Sequence, residues 1–174
     1  MWKLSEAAQA DANDLSGLLG RPSLFRNTNT ALAVIQRLAE HGEPGAMPAL
    51  ATALFDRKLR ERAAAAISHL LLQVPPRELI HLGGCFGWLS GWNSSVSWAT
   101  LQPNRVNALA GVGPHRPAVL GLLSFHHNGF VRHEAVQLLG QATVGTELPY
   151  LLIRQNDWVD PISRDAQQLV RERL

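Results

Sequence analysis

The sequence has almost no cysteine and no long apolar run. One cysteine in 174 residues, Cys85, excludes an internal disulfide framework, and nothing else indicates an oxidising compartment. No apolar run approaches the ~20 residues that cross a bilayer. The first residues, MWKLSEAAQADANDLSG, lack the apolar core of a signal peptide. We therefore expect a cytoplasmic protein without a membrane partner.

Charge is also scarce, and the two signs nearly balance. Charged residues make up 17% of the chain, 16 basic against 14 acidic, and a net charge of +2 is too small to predict a polyanion partner by itself. Apolar residues make up 46%, which excludes the composition of disordered chains. A chain of this length buries roughly 70% of its unfolded surface. We expect one domain over residues 1–174.

Sustained alternating strand patterns are missing, and apolar residues recur at helical spacing instead. Steps of three and four residues between apolar positions, punctuated by Pro, Gly and Asn, predict seven helices. They cover residues 30–40, 44–55, 57–74, 116–125, 130–141, 147–154 and 161–174. Short connections make neighbouring helices antiparallel. The sequence therefore predicts an all-α fold.

Two segments depart from this pattern. Residues 77–113 contain five glycines before residue 112 and three of the five tryptophans, so we expect short helices broken by an irregular loop. Residues 1–27 suit an N-terminal cap. Residues 28–76, between these two segments, contain the first clear repeat. Residues 114–174, after the second segment, contain two more.

One pattern recurs three times along the chain. A proline early in a first helix is followed by aliphatic residues, and the second helix opens with an aliphatic residue and an alanine four positions later. The prolines are Pro48, Pro117 and Pro149, and the aliphatic–alanine pairs are Leu59–Ala63, Val131–Ala135 and Ile162–Ala166. Small alanines let two helices approach closely, so we expect Ala135 to be buried. A period in the thirties predicts stacked helix pairs.

The segment VRHEAVQLLGQA, residues 131–142, resembles the second helix of HEAT repeats, which typically opens with Val-Arg-x-x-Ala. The resemblance covers residues 44–74 and 114–174. It implies a right-handed α-solenoid of about four to five antiparallel helix pairs, with residues 77–113 as an irregular Gly/Trp-rich unit in the middle. It also implies a non-catalytic protein-interaction or scaffold module that presents a concave helical face to another protein.

The same resemblance implies a bond between repeats. Family members carry an Asp in the inter-helix turn, five positions before the aliphatic residue, and an Arg directly after that residue. Asp157 and Arg132 occupy these places, whereas His126 replaces the Asp of the second copy and Ser163 replaces the Arg of the third. We therefore expect an incomplete ladder of such bonds.

Four arginines near the starts of second helices are candidate partner contacts. Stacked repeats would align them into a basic stripe of the kind that a phosphate backbone needs. They are Arg60, Arg62, Arg132 and Arg164, and the acidic residues interleaved with them are Glu61, Glu134 and Asp165. The acidic residues favour solvation or pairing between repeats over a binding stripe.

Three tryptophans beside Phe86 are the other candidate contacts: Trp88, Trp92 and Trp98. Aromatic anchors are enriched at interface hot spots, which favours a partner or ligand surface. Buried tryptophan is also common in cores, which favours filling of a degenerate repeat. Both interpretations stay open at this stage.

Metal and catalytic patterns are incomplete. His81 and Cys85 stand four residues apart, and three more histidines surround one turn, but neither set has the second half of a zinc site. No Ser–His pair has an orienting acid, and no Gly-rich phosphate loop follows a strand. We expect no catalytic residue, metal or cofactor. The alternatives are a HEAT-like nucleic-acid-binding or DNA-repair protein, and a lyase-like or regulatory protein acting on a protein-bound group.

The last repeat, residues 147–174, is a good copy of the pattern with no further polar helix after it. An end repeat needs a polar outer face to stay soluble. The sequence thus leaves two expectations: the chain is the N-terminal part of a longer array and self-associates through an uncapped C-terminal repeat, or the polar residues of its last helix are sufficient to cap it.

Overall fold

The computed structural model describes residues 2–22, 27–86, 96–142 and 144–173. Every regular element within these ranges is helical, and none is a strand, so the all-α prediction is confirmed. The α-helices are α1 (Glu6–Leu19), α2 (Thr28–His41), α3 (Met47–Ala53), α4 (Arg60–Gln73), α5 (Leu82–Phe86), α6 (Val96–Ala99), α7 (Val106–Leu109), α8 (Arg116–Leu123), α9 (Gly129–Leu139), α10 (Leu148–Arg154) and α11 (Asp160–Arg171).

The predicted helices and the observed ones differ at their starts. The segment predicted from residue 44 opens with a 3-10 turn, Pro44–Ala46, before α3 begins. The segment predicted from residue 57 begins only at Arg60, because the Asp56 side chain accepts a hydrogen bond from the Lys58 N–H and holds a turn. Residues 6–19, expected only as part of a cap, form a full helix whose Ser5 side chain caps the Ala8 N–H.

The chain divides into two compact units, one of Met1–Pro75 with Gly84–Thr100, the other of Pro76–Gly83 with Leu101–Leu174. In the first unit, α1 packs on α2 and α3, and α4 packs on α2 and α3. Gly42 ends α2 in the left-handed conformation, with φ at +68°. A β-carbon there would lie 2.9 Å from Oε1 of Gln73, the last residue of α4. The carboxyl-terminal ends of α2 and α4 are therefore neighbours.

In the second unit, α8 packs on α9, α10 packs on α11, and α9 packs on α11. The 3-10 turn Pro76–His81 lies against α10. A β-carbon at Gly121 of α8 would lie 2.5 Å from the ring of Tyr150 in α10. Only glycine at position 121 lets the tyrosine ring come this close.

The repeat positions lie where the register predicts. The three prolines are in the first turns of α3, α8 and α10, where a missing N–H costs nothing. The aliphatic–alanine pairs are fully buried: Leu59 with Ala63, Val131 with Ala135, and Ile162 with Ala166. The predicted burial of Ala135 is thus confirmed.

Over the described residues, no helix combines the length and the apolar character needed to cross a bilayer.

Candidate functional site

The residue directly after each aliphatic repeat position donates a hydrogen bond to a backbone carbonyl in the turn that follows the preceding helix. Arg60 Nε donates to the Leu54 carbonyl at 2.8 Å, and Arg132 Nη1 donates to the His126 carbonyl at 3.0 Å. In the third copy, the Ser163 hydroxyl donates to a carbonyl just past α10 at 2.6 Å. Arg60 and Arg132, two candidate partner contacts, are therefore engaged in holding their own turns.

Arg132 also forms the inter-repeat bond that the family resemblance implies. Its Nε and Nη2 donate to the two carboxylate oxygens of Asp157, each at 3.1 Å. The two side chains are 6% and 1% exposed, so Arg132 offers almost no surface to a partner. Arg154 Nη1 donates a further bond to Asp157 at 2.9 Å. This buried group links the α8–α9 pair to the α10–α11 pair.

The charges of this group decide its protonation. Burial alone would raise the pKa of Asp157. The hydrogen bond from Arg132, the bond from the Val159 N–H and the charges of Arg132 and Arg154 outweigh that effect and hold the pKa below its ordinary value. Burial lowers the pKa of Arg154, and Asp157 opposes the shift.

His126 stands where the repeat pattern has an Asp, and it accepts the same hydrogen bond within the turn as that Asp does. Its Nδ1 accepts a hydrogen bond from the Asn128 N–H at 3.0 Å, just as Asp157 Oδ1 accepts from the Val159 N–H at 3.0 Å. The His126 ring is fully buried and stacks on His127 with 4.3 Å between centroids. A histidine can therefore close the same two-residue turn as an aspartate.

Within the described ranges, the histidines are not grouped into a metal-binding cluster. His133 Nε2 lies 2.7 Å from Asp165 Oδ2, which joins α9 to α11. Across the part of the chain that the structure describes, no three His, Cys, Asp or Glu side chains are grouped to hold a metal ion. The side chain of Cys85, which stands four residues after His81, lies outside the described ones.

The tryptophan cluster is described only in part. Trp98 is 2% exposed and stacks on Phe86, with ring centroids 4.7 Å apart and planes 18° apart. This burial agrees with the core-filling interpretation for Trp98. Trp88 and Trp92 lie outside the described residues.

Two exposed aromatics in the second unit were missed by sequence reasoning. Phe130 is 76% exposed and Trp158 is 84% exposed. The Trp158 ring lies 5.5 Å from the Arg132 guanidinium carbon. Both aromatics lie at or beside the turns that precede second helices. Because neither occupies a buried position of the repeat, the repeat register predicts that they are exposed.

A second buried carboxylate joins the first two helices. Arg37 Nη2 and Nε donate to Asp11 Oδ1 at 2.6 and 2.9 Å, and His41 Nε2 lies 3.0 Å from Oδ2. The hydrogen bond from Arg37 lowers the pKa of Asp11, burial opposes it, and His41 adds to the lowering. The group clamps α2 to α1, and no nucleophilic side chain bonds to it among the described residues.

An open groove of about 340 Å³ lies between α2 and α4. Its apolar lining consists of Leu32, Ile35, Ala39, Ala65 and Ala66, and its polar lining consists of Gln36, Glu40, Arg62 and His69. Both helices are the second helices of their pairs, α1 with α2 and α3 with α4.

Some polar side chains at this groove are hydrogen-bonded to other side chains of the protein, and others are not bonded to any described residue. Gln36 Nε2 donates to Glu40 Oε1 at 2.9 Å, and His69 Nε2 lies 2.8 Å from Gln73 Nε2. Arg62 is exposed and makes no hydrogen bond or ion pair with any other described residue. Arg164 of α11 is likewise exposed and unbonded within that part of the chain. Of the four candidate arginines, these two are the ones that are exposed and bond to no other residue of the described ranges.

The fold and the groove together define an all-helical protein built from packed helix hairpins. Comparison with protein-family models, curated proteins and solved structures finds no match for this chain. Its function must therefore be argued from its own groove, turns and charges.

Proposed function

We propose that this chain is a non-catalytic interaction module, a HEAT-like right-handed α-solenoid whose second helices bind another protein. The observation that carries the proposal is the open groove between α2 and α4, with the exposed Arg62, which bonds to no other described residue, at its rim. A concave apolar site with few polar groups is the usual form of a binding site.

Helix packing within each unit supports the solenoid. In the first unit the first helices pack on each other, α1 on α3, and the second helices do the same, α2 on α4. In the second unit α9 packs on α11, again second helix on second helix. The bond from Arg132 to Asp157 joins one pair to the next. This is the arrangement in which each repeat buries its face against its neighbours.

Charge favours a protein partner over a nucleic acid. Glu40 lines the same groove as Arg62, so a phosphate backbone in that groove would meet a carboxylate as well as a guanidinium. The net charge of +2 supplies little long-range attraction for a polyanion.

Site-specific photo-crosslinking tests the proposal. Gln36→p-benzoylphenylalanine places the probe at the groove, and Gln9→p-benzoylphenylalanine on α1 is a matched control, since both glutamines are exposed and bond four residues ahead. In lysate of the source organism, we expect a discrete protein adduct from position 36 alone. Excess unlabelled wild type should suppress it, and unlabelled Arg62→Glu should not.

The other outcomes separate the rival functions. Equal adducts from positions 36 and 9 would contradict a binding face on the second helices. A nuclease-sensitive adduct, with salt-dependent binding to duplex DNA, would favour the nucleic-acid alternative. Co-purification of a pigment or cofactor would favour the lyase-like alternative.

A further inference from the structure

We infer that the α2–α4 groove binds a short protein segment that places an apolar side chain on the alanine floor and a carboxylate on Arg62. The inference depends on the proposed function and specifies the chemistry of its ligand.

The groove exists because α4 has small side chains where α11 has large ones. Counted from the equivalent alanines Ala63 and Ala166, the third residue onward is Ala66 in α4 and Leu169 in α11. Leu169 packs on the carboxyl-terminal end of α9, since a β-carbon added at Gly140, the residue that follows the helix, would lie 2.6 Å from its Cδ2. Ala66 has no side chain of that reach. The space that Leu169 fills in the second unit therefore stays open in the first.

A polar link also closes the α9–α11 gap, and among the described residues Arg62 has no equivalent link. The residue directly before the repeat alanine is Asp165 in α11 and Arg62 in α4. Asp165 is engaged across the gap by His133 at 2.7 Å and by Gln137 at 3.3 Å. Arg62 has no such partner among the described residues. One copy of the position is thus satisfied within the protein, and the other is left for a ligand.

The ends of the groove carry opposite charge. The carboxyl-terminal ends of α2 and α4 lie side by side at Gly42 and Gln73, so the two packed helices run in the same direction. Arg62 lies in the first turn of α4, and Glu40 lies in the last turn of α2. Arg62 therefore stands at one end of the groove and Glu40 at the other.

This polarity defines the ligand. An acidic side chain is attracted at the Arg62 end and repelled at the Glu40 end, so the segment carries one carboxylate followed, at the other end, by a neutral or basic residue. Between them, the alanines leave space for one or two aliphatic side chains, because 340 Å³ is at the small end of ligand pockets, which start at about 300 Å³. A polyanion fits neither the floor nor Glu40.

The inference is tested by titrating the protein with short peptides and following its amide chemical shifts. This measurement detects the weak binding that we expect of a four-residue peptide. The probe is acetyl-Asp-Leu-Leu-Lys-amide, and the control peptide replaces its Asp with Asn. We expect the Asp peptide to shift amides of residues 32–40 and 62–69, and to bind about fivefold more tightly than the Asn peptide, the upper range for an exposed ion pair. Arg62→Gln should remove that difference without changing the affinity for the Asn peptide.

Filling the groove gives a second, independent readout. Ala66→Leu copies the residue of α11 and should abolish the shifts from both peptides. Ala33→Leu adds the same atoms at an exposed position of α2 that does not line the groove, and should leave binding unchanged. Circular dichroism of each variant checks that the helices are intact.

Several results would overturn the inference. Equal affinities for the Asp and Asn peptides, or equal weakening of both by Arg62→Gln, would exclude the carboxylate contact. Shifts outside the groove, no shifts at all, or binding that survives Ala66→Leu would exclude the site. Groove-specific photo-crosslinking would still support the interaction function in each case, so the two failures are distinguishable.

Discussion

Arg132 in α9 and Asp157 in the α10–α11 turn form a two-point ion pair that is almost sealed from solvent. Each side chain is at most 6% exposed, and the arginine also donates to two backbone carbonyls of its own turn. Removing one partner of such a pair leaves a buried charge without compensation. The pair is therefore a strong stability determinant of the second unit.

Arg132→Ala should destabilise the protein by about 3 to 5 kcal/mol, the usual cost of breaking a buried pair. Arg164→Ala, at an exposed arginine with no bond to another described residue, should change the free energy of unfolding by less than ~0.5 kcal/mol. Urea denaturation midpoints measure both variants. A value for Arg132→Ala as small as that for Arg164→Ala would show that the pair is not formed in solution.

Acid should weaken the α1–α2 clamp. Because Arg37 lowers the pKa of Asp11 below 3.8 in the folded protein, the stabilisation is complete above the unfolded value and is lost as the pH falls through the lowered pKa. Wild type should therefore lose stability below about pH 4 faster than Asp11→Asn, which has no carboxylate to protonate. Parallel acid-dependent slopes in thermal melts would contradict this assignment.

Ala135→Leu should cost about 1 to 3 kcal/mol, because Ala135 is fully buried at its repeat position and has no room for three more carbons. The exposed Ala33→Leu is the control and should change the free energy of unfolding by less than ~0.5 kcal/mol. An unchanged denaturation midpoint for Ala135→Leu would mean that the repeat register is wrong.

Trp98 and Trp158, which have opposite exposure, should respond differently to truncation. Trp98→Ala removes a ring stacked on Phe86 inside the first unit and should cost about 3 to 5 kcal/mol. Trp158→Ala removes an 84% exposed ring and should cost less than about 1 kcal/mol, mainly the lost contact with Arg132. If the two variants unfold at the same denaturant concentration, Trp98 does not fill the core.

Sequence spacing was sufficient for the helices whose apolar faces have strong periodicity, and for the buried aliphatic–alanine pairs. It missed α1 as a helix, although Ser5 followed by Ala8, Ala12 and Leu15 has both the capping residue and the spacing of one. The Arg132–Asp157 bond followed from the family resemblance, since nothing in local propensity joins residues 25 positions apart.

Neither the apolar spacing within each helix nor the family resemblance predicts the groove. It depends on the small side chain of Ala66, which stands where the last repeat has Leu169, and on the distance between α2 and α4, which is set by their packing. The sequence also does not indicate which arginines are hydrogen-bonded within the protein. Arg60 and Arg62 stand two residues apart on one helix, yet Arg60 bonds to the Leu54 carbonyl while Arg62 stays exposed.

Tyr150, which packs against Gly121, is the only tyrosine of the chain, and this makes it a built-in optical reporter. Burial raises the pKa of its phenol from 10.0 to about 12. Between these two values the folded protein keeps the phenol protonated, whereas an opened second unit would ionise it. Between pH 10.0 and about 12, the ultraviolet band of tyrosinate therefore reports the molecules whose second unit has opened, without any added label.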